Sequence, residues 1–307
     1  MNLNFDISNV TVTEFGVGRD NGDGRDFDRV TVDGNVQNAL QEMAEATWVA
    51  MQAQTNNPPS YEPSEKHASI EYRHLPLNNN MAETMRNLHQ ANNLPPDSTA
   101  LADTEKVFCY FARFTDLQNR KLTAVRRATQ FKGVLKSRLL RWDTDALQLI
   151  EDRVFKLDND FDLLIDAENI HILRPSGFEF VGQLQEAIME AVSTNVTLLK
   201  DDIAFLDFDA IENYASRHPR AARYLASIRS KNEALNIDCG CLQKLCADNG
   251  VKLTETDGIL LLEETEVMGF LEVLDRRRYE IELVADKPEH YRAASRSKID
   301  TGGQDVQ

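Results

Sequence analysis

The chain has 307 residues, 42% hydrophobic and 27% charged, a globular composition that fills one large domain or two smaller ones. No run approaches the roughly 18 apolar residues needed to span a bilayer, and the opening MNLNFDISNV lacks the charged start and apolar core of a secretion signal. Four cysteines in no paired framework and a formal net charge of −16 describe a cytosolic protein that repels polyanions on average.

Residues 1–32 predict strand, loop, strand. Val10, Val12 and Phe15 precede the loop GVGRDNGDGRDFD at 16–28, and Val30 and Val32 follow it. The acids of this loop do not make an EF-hand. Counted from Asp20, the third and fifth ligand positions fall on Gly22 and Gly24, which leaves a solvated turn. Asp33 caps an expected helix over 36–54, with Val36, Leu40, Met43, Thr47 and Ala50 at helical spacing. The stretch 55–65 holds three prolines and reads as a connector. A short strand (69–74), a helix (81–92) and a second Pro-bearing connector (92–104) follow, with a domain boundary expected near residue 100.

Beyond it the pattern is strongly β. Residues 106–114 are apolar on both alternations, as in a central strand buried on two faces. Residues 121–129 predict a strand, and 134–141 fit strand or helix. Strands follow at 146–150, 154–157, 161–166 and 170–173, the last two forming a hairpin around 166–169. In it Phe161, Leu163 and Ile165 share one face, and Asp162 and Asp166 fall on the other. Ser176 and Glu179 have capping-box spacing ahead of an amphipathic helix carrying Phe178, Val181, Leu184, Ile188 and Val192. The rest is mainly helical, with Pro219 at a first helical position, two short strands turning at Asp257–Gly258, a helix over 266–276 and a strand over 279–284. The tail 299–307 reads as disordered.

The stretch 117–142, LQNRKLTAVRRATQFKGVLKSRLLRW, carries eight basic residues and no acid. With −16 on the whole chain and +8 here, −24 lies elsewhere. A local basic island on an acidic body suits a polyanion such as DNA, and it equally suits pairing with the acids of 143–168 across a sheet or in self-association. A second acid-free segment, 217–231, adds further arginines and a lysine. Base-reading motifs are absent, so contacts would go to phosphate with weak sequence dependence. The candidate DNA-binding residues are Arg120, Lys121, Arg126, Arg127, Lys132, Lys136, Arg138 and Arg141, with Arg220, Arg223 and Lys231 extending the surface. Phe131 and Trp142 are of a type that stacks on bases, though core packing suits both better.

Motifs for catalysis or cofactors are missing. The sequence has no P-loop, no dinucleotide fingerprint, no nucleophile elbow and no His-Glu-x-x-His. Asp162, Asp166 and Glu168 offer carboxylates for a magnesium-dependent nuclease, but the lysine such a site wants is absent. Cys239, Cys241 and Cys246 lack a nearby fourth zinc ligand. No catalytic residue, metal or cofactor is expected.

The hairpin and helix carry a resemblance. Phe161-Asp162-Leu163-Leu164-Ile165, then Asn169-Ile170-His171-Ile172-Leu173, then Gly177-Phe178-Glu179 resemble the central signature of the KwaB family of the Kiwa anti-phage defence system. Phe111-Ala112-Arg113-Phe114 and Tyr291-Arg292-Ala293-Ala294-Ser295-Arg296 fit the same layout. The resemblance spans about 105–298, and the first hundred residues match it more loosely. It implies a cytosolic protein that binds DNA, has no established enzyme chemistry, and is recruited to the inner membrane by KwaA, a small membrane protein, to stop phage replication. The expected fold is α+β: an N-terminal α/β portion (1–100), then a mostly antiparallel sheet with C-terminal helices (105–298). The expected function is non-catalytic, low-specificity binding of double-stranded DNA by a homodimer. The alternatives are a metal-dependent nuclease using the hairpin acids, and a scaffold with no DNA affinity.

Overall fold

The computed structural model describes residues 2–22, 24–96, 106–128, 140–143, 146–149, 155–230 and 237–294. The fold is α+β, as expected. The chain divides into two compact units, one of residues 1–61 with 67–184, the other of 62–66 with 185–307.

The first unit is built on a seven-stranded antiparallel sheet. In chain order its elements are β1 (Val10–Asp20), β2 (Arg25–Val30), α1 (Gly34–Gln52), β3 (Arg73–Pro76), α2 (Glu83–Gln90), β4 (Val107–Asp116), β5 (Lys121–Arg127), a separate hairpin of β6 (Leu140–Asp143) and β7 (Ala146–Leu149), then β8 (Leu163–Ile165), β9 (Asn169–Ile172) and α3 (Pro175–Val181). The spatial order is β2-β1-β4-β5-β8-β9-β3. β4 lies inside the sheet and is buried on nearly every residue, which is why both of its alternations are apolar.

The boundary expected near residue 100 does not separate the units. β1 pairs with β4, Phe15 opposite Ala112, and β3 pairs with β9, Leu75 opposite Ile170. The first strands are therefore part of the same antiparallel sheet and not an α/β portion of their own. The loop expected over 16–28 also shrinks, because β1 runs to Asp20 and β2 begins at Arg25. Gly16 is there for close approach, not for turning: a β-carbon on it would lie 2.5 Å from the Asp28 carbonyl oxygen and would overlap the edge of the Phe111 ring.

α1 forms where its cap and spacing require. The Asp33 carboxylate accepts from the Val36 N–H at 2.9 Å. Leu40, Met43, Ala44, Thr47 and Met51 make the buried stripe, packed with Phe15, Val17, Tyr110, Ala112, Phe114, Leu122, Ala124 and Leu164. Full burial of Leu40 or Met51 is worth about 2 kcal/mol each. Thr47 Oγ1 donates to the Met43 carbonyl at 2.7 Å and accepts the Phe161 N–H at 2.8 Å, tying α1 to the entry of β8.

After β9 the expected capping box does not form. Pro175 occupies the first turn and no side chain caps it, so Ser176 is already helical; Glu179 instead accepts the Tyr61 hydroxyl at 2.6 Å. The single amphipathic helix expected here is broken at Gly182–Gln183, where Gln183 has φ 48°. The strand expected over 154–157 is absent at 155–157, and the tail 299–307 lies outside the described residues.

The second unit holds α4 (Leu184–Glu190), α5 (Val192–Asp202), α6 (Asp209–Ala215), α7 (Pro219–Ser230), α8 (Cys239–Asp248), the hairpin β10 (Leu253–Thr256) and β11 (Ile259–Leu262), α9 (Val267–Leu274), and the hairpin β12 (Arg278–Val284) and β13 (Lys287–Arg292). α7 packs through Ala221, Ala222, Leu225 and Ile228, all buried. Residues 62–66 enter this unit and are held by the fully buried Arg277, whose guanidinium meets Asp275 at 2.8 Å, the Ser64 hydroxyl at 2.7 Å and Glu62 at 3.5 Å.

Candidate nucleic-acid interface

β5 carries the first half of the basic stretch, and its period of two divides the charges. Leu122 and Ala124 face α1. Arg126 is on their alternation, opposite Tyr110 of β4. Lys121, Thr123, Val125 and Arg127 take the other face, where Thr123 Oγ1 bonds His89 Nδ1 of α2 at 3.0 Å.

Arg126 is committed to acids. Its guanidinium meets Asp162 at 2.6 Å, Asp158 at 3.2 Å and Asp160 at 3.4 Å, and its side chain is only 13% exposed. Asp162 is buried, and burial pushes its carboxyl above the ordinary range against the pull of Arg126. Its second oxygen accepts the Arg127 N–H at 2.8 Å, and its backbone carbonyl accepts the N–H groups of Leu173 and Arg174. A β-carbon on Gly177 would lie 2.5 Å from the Asp162 Cγ, so α3 can approach this carboxylate only with glycine there. The signature residues Asp162 and Gly177 thus form one packed unit.

Arg120 is bound to Asp116 at 2.7 Å, and Asp116 also accepts the N–H groups of Gln118 and Arg120, closing the β4–β5 turn. Its side chain remains 39% exposed. Lys121 is exposed and among the described residues reaches only Asn92, at 3.4 Å. The Arg127 guanidinium meets no acid among the described residues. Its guanidinium lies 3.9 Å from the centre of the Phe180 ring, and Arg25 lies 5.1 Å from the same ring and 4.1 Å from Phe108. Arg25 also donates to the carbonyls of Phe180 and Val181 at 2.7 and 3.1 Å, fixing the end of α3. Lys121 and Arg127 therefore mark the two ends of one strand face, roughly 20 Å apart, about six base pairs of duplex.

The other candidates are placed differently. Arg141 is described only as part of the β6 backbone, opposite Gln148. Lys132, Lys136, Arg138, Lys231 and Phe131 lie outside the described residues, as does the side chain of Trp142. Arg220 and Arg223 belong to the second unit. Arg223 donates to the Gln185 side chain at 3.2–3.3 Å and to the Pro63 carbonyl at 3.1 Å. Arg25 and Phe180 escaped sequence reasoning. Arg25 is far from the basic stretch in sequence, and Phe180 reads as one more apolar helical residue.

The hairpin acids do not converge. Asp162 serves Arg126, whereas Asp166 accepts the N–H groups of Glu168 (2.9 Å), Asn169 (2.8 Å) and Asn4 (3.1 Å) and meets His171 Nε2 at 3.1 Å. Both are buried. His171 is also buried, with Tyr72 Oη 2.8 Å from its Nδ1 and the Trp48 ring edge-on. Glu168 is exposed. Among the described residues no three His, Cys, Asp or Glu side chains are grouped to hold a metal ion. The four cysteines are free thiols, and Cys246 is buried.

A family model described as Kiwa protein KwaB-like matches residues 104–283. The chain belongs to the KwaB-like family. Membership ties it to Kiwa anti-phage defence and to a partner within that system. The KwaB-like match takes in β4, β5, the β8–β9 hairpin and α3, and with them Lys121, Arg127, Phe180 and the Asp162–Gly177 contact, but not Arg25. Neither a curated protein nor a solved structure matches the chain. No described helix is long and apolar enough to cross a membrane.

Proposed function

We propose that this chain is a non-catalytic, low-specificity binder of double-stranded DNA in Kiwa defence. It acts as a dimer, and a KwaA-like membrane partner recruits it to the inner face of the membrane. The carrying observation is a pair of cations on one face of β5, Lys121 and Arg127, whose side chains meet no acid among the described residues, in a stretch without acids. The stacking of Arg127 on Phe180 holds its guanidinium in place without neutralising it. Such cations contact phosphate, displace counterions and read no sequence. Arg120 adds a partly exposed charge at the turn, and Lys132, Lys136, Arg138 and Arg141 continue the acid-free basic stretch in sequence.

The test is a gel-shift titration of the full chain against unrelated duplexes at low and high salt, with and without magnesium. Binding of intact DNA that weakens steeply with salt, and that drops in Lys121→Gln/Arg127→Gln, is the expected result. Shortened DNA only with magnesium would transfer the function to a nuclease. No shift at low salt would make the basic stretch a protein interface.

A further inference from the structure

The second unit contains a cluster of arginines that the basic stretch does not explain. α9 has the sequence VMGFLEVL, and Glu272 is its one charged residue. The side chain is buried, 2% exposed. Three guanidinium groups from three elements converge on it. Arg278 of β12 donates from Nε to Oε2 at 3.1 Å, while Arg220 of α7 and Arg292 of β13 approach Oε1 at 3.4 and 3.3 Å. Arg278 and Arg292 are directly opposite one another across the β12–β13 ladder. Like charges in that position repel, and one carboxylate offsets only one of the three. The cluster keeps a formal excess of two positive charges.

We infer that Arg220, Arg278 and Arg292 form a phosphate-binding site organised by Glu272. A guanidinium has five N–H donors. Arg220 and Arg292 each give one to Glu272, while Arg278 gives a second to the Asn249 carbonyl at 2.7 Å. Arg220 and Arg292 are 62% and 60% exposed, so most of their donors face solvent. Neither engages Glu272 through a two-pronged fork, the arrangement a phosphate would take up. Glu272 supplies the fixed point that keeps three mutually repelling groups together before a ligand arrives, which lowers the ordering cost of binding. An excess charge of two matches a phosphate dianion, either free phosphate or the terminal phosphate of a nucleotide. This site does not rest on the duplex-binding reading and uses no residue of β5.

The test is calorimetric titration of the full chain, at constant ionic strength in chloride, with inorganic phosphate and separately with a 5′-mononucleotide. Wild type, Arg220→Gln/Arg292→Gln and Lys121→Gln/Arg127→Gln are compared. The expected result is saturable binding by wild type, at least tenfold weaker in Arg220→Gln/Arg292→Gln and unchanged in Lys121→Gln/Arg127→Gln. Tighter binding of the nucleotide than of phosphate would identify an ester as the ligand, and equal binding would identify the free ion; both uphold the site. Absence of saturable binding by wild type overturns it, as does equal binding by Arg220→Gln/Arg292→Gln. Thermal unfolding keeps a misfolded variant from passing as support. Without ligand each of the three proteins unfolds in one cooperative transition, and phosphate raises the midpoint of wild type but not of Arg220→Gln/Arg292→Gln. A gel shift run in parallel separates this site from duplex binding, because Lys121→Gln/Arg127→Gln loses the duplex and keeps the phosphate.

Discussion

Arg126 and Arg127 are neighbours in sequence, yet their side chains stand on opposite faces of β5, one locked to Asp162 at 2.6 Å and the other stacked on Phe180 without an acid. A basic stretch that looks uniform in sequence is therefore part framework and part open charge. The first prediction separates the two. Arg126→Gln leaves the buried Asp162 carboxylate without its main partner and costs about 3 kcal/mol in urea denaturation. Arg127→Gln costs under about 1 kcal/mol but weakens duplex binding for every sequence alike and flattens its salt dependence by about one phosphate contact. Equal stability losses in the two variants would remove the division.

Gly177→Ala tests the contact between α3 and Asp162. The added methyl would sit 2.8 Å from the Asp162 Cβ and closer still to its carboxylate. Asp162 cannot retreat, because Arg126 and the Arg127 N–H hold it. A loss of about 2 kcal/mol is expected by urea denaturation, with Gly182→Ala as a milder control. A neutral result at Gly177 would show that the carboxylate gives way.

Two groups give acid sensitivity in separate windows. Burial, aided by the nearby Arg113 charge, pulls the His89 imidazole down to about 4. An unfolded histidine takes its proton near ~6.5, so the unfolded state gains protons first and stability falls as pH drops from about 6.5 to about 4. The loss approaches about 3 kcal/mol, and His89→Gln abolishes that part of the profile. Burial works against ionisation of Asp166, yet His171 and the N–H groups of Glu168 and Asn169 hold its carboxyl at about 2. Its contribution is complete above about pH 4 and disappears as pH falls toward 2. Asp166→Asn removes this lower window alone. Urea midpoints from pH 2 to 7 read both.

Thr47→Val keeps the shape of the α1 stripe and strips the acceptor from the buried Phe161 N–H. An unsatisfied donor there costs about 2 kcal/mol, and Thr47→Ser restores most of it. If valine and serine variants denature alike, the hydroxyl has no part in holding α1 to β8.

Elements with local signals were legible in the sequence. Asp33 and the stripe from Leu40 to Thr47 announced α1, two-sided apolarity announced β4, and the Asp166 turn announced the β8–β9 hairpin. Sheet order was not legible, since Phe15 finds Ala112 and Leu75 finds Ile170 only through long-range packing. The same holds for the site. The alternation of β5 was implicit in its residues, and pairing of the basic stretch with the acids of 143–168 was legible as one of its readings; that Asp158, Asp160 and Asp162 would all converge on Arg126 alone, or that Arg25 would come to lie beside Phe180, was not. The burial of Asp166 was not legible for a related reason: His171 is local to the hairpin, but Asn4 reaches it from the far end of the unit.

The strand order also sets a timetable for synthesis. β1 and β2 can close as a hairpin once residue 30 is made, but the other edge of β1 waits for β4, and β3 waits for β9. At about 5–20 residues per second, that interval lasts roughly 5–20 s on the ribosome. Throughout it the nascent chain presents an unpaired β1 edge and the bare apolar stripe of α1. Expressing the family-matched portion alone makes the same deficit permanent, leaving β4 and β9 each with an edge that nothing in the shortened chain can cover.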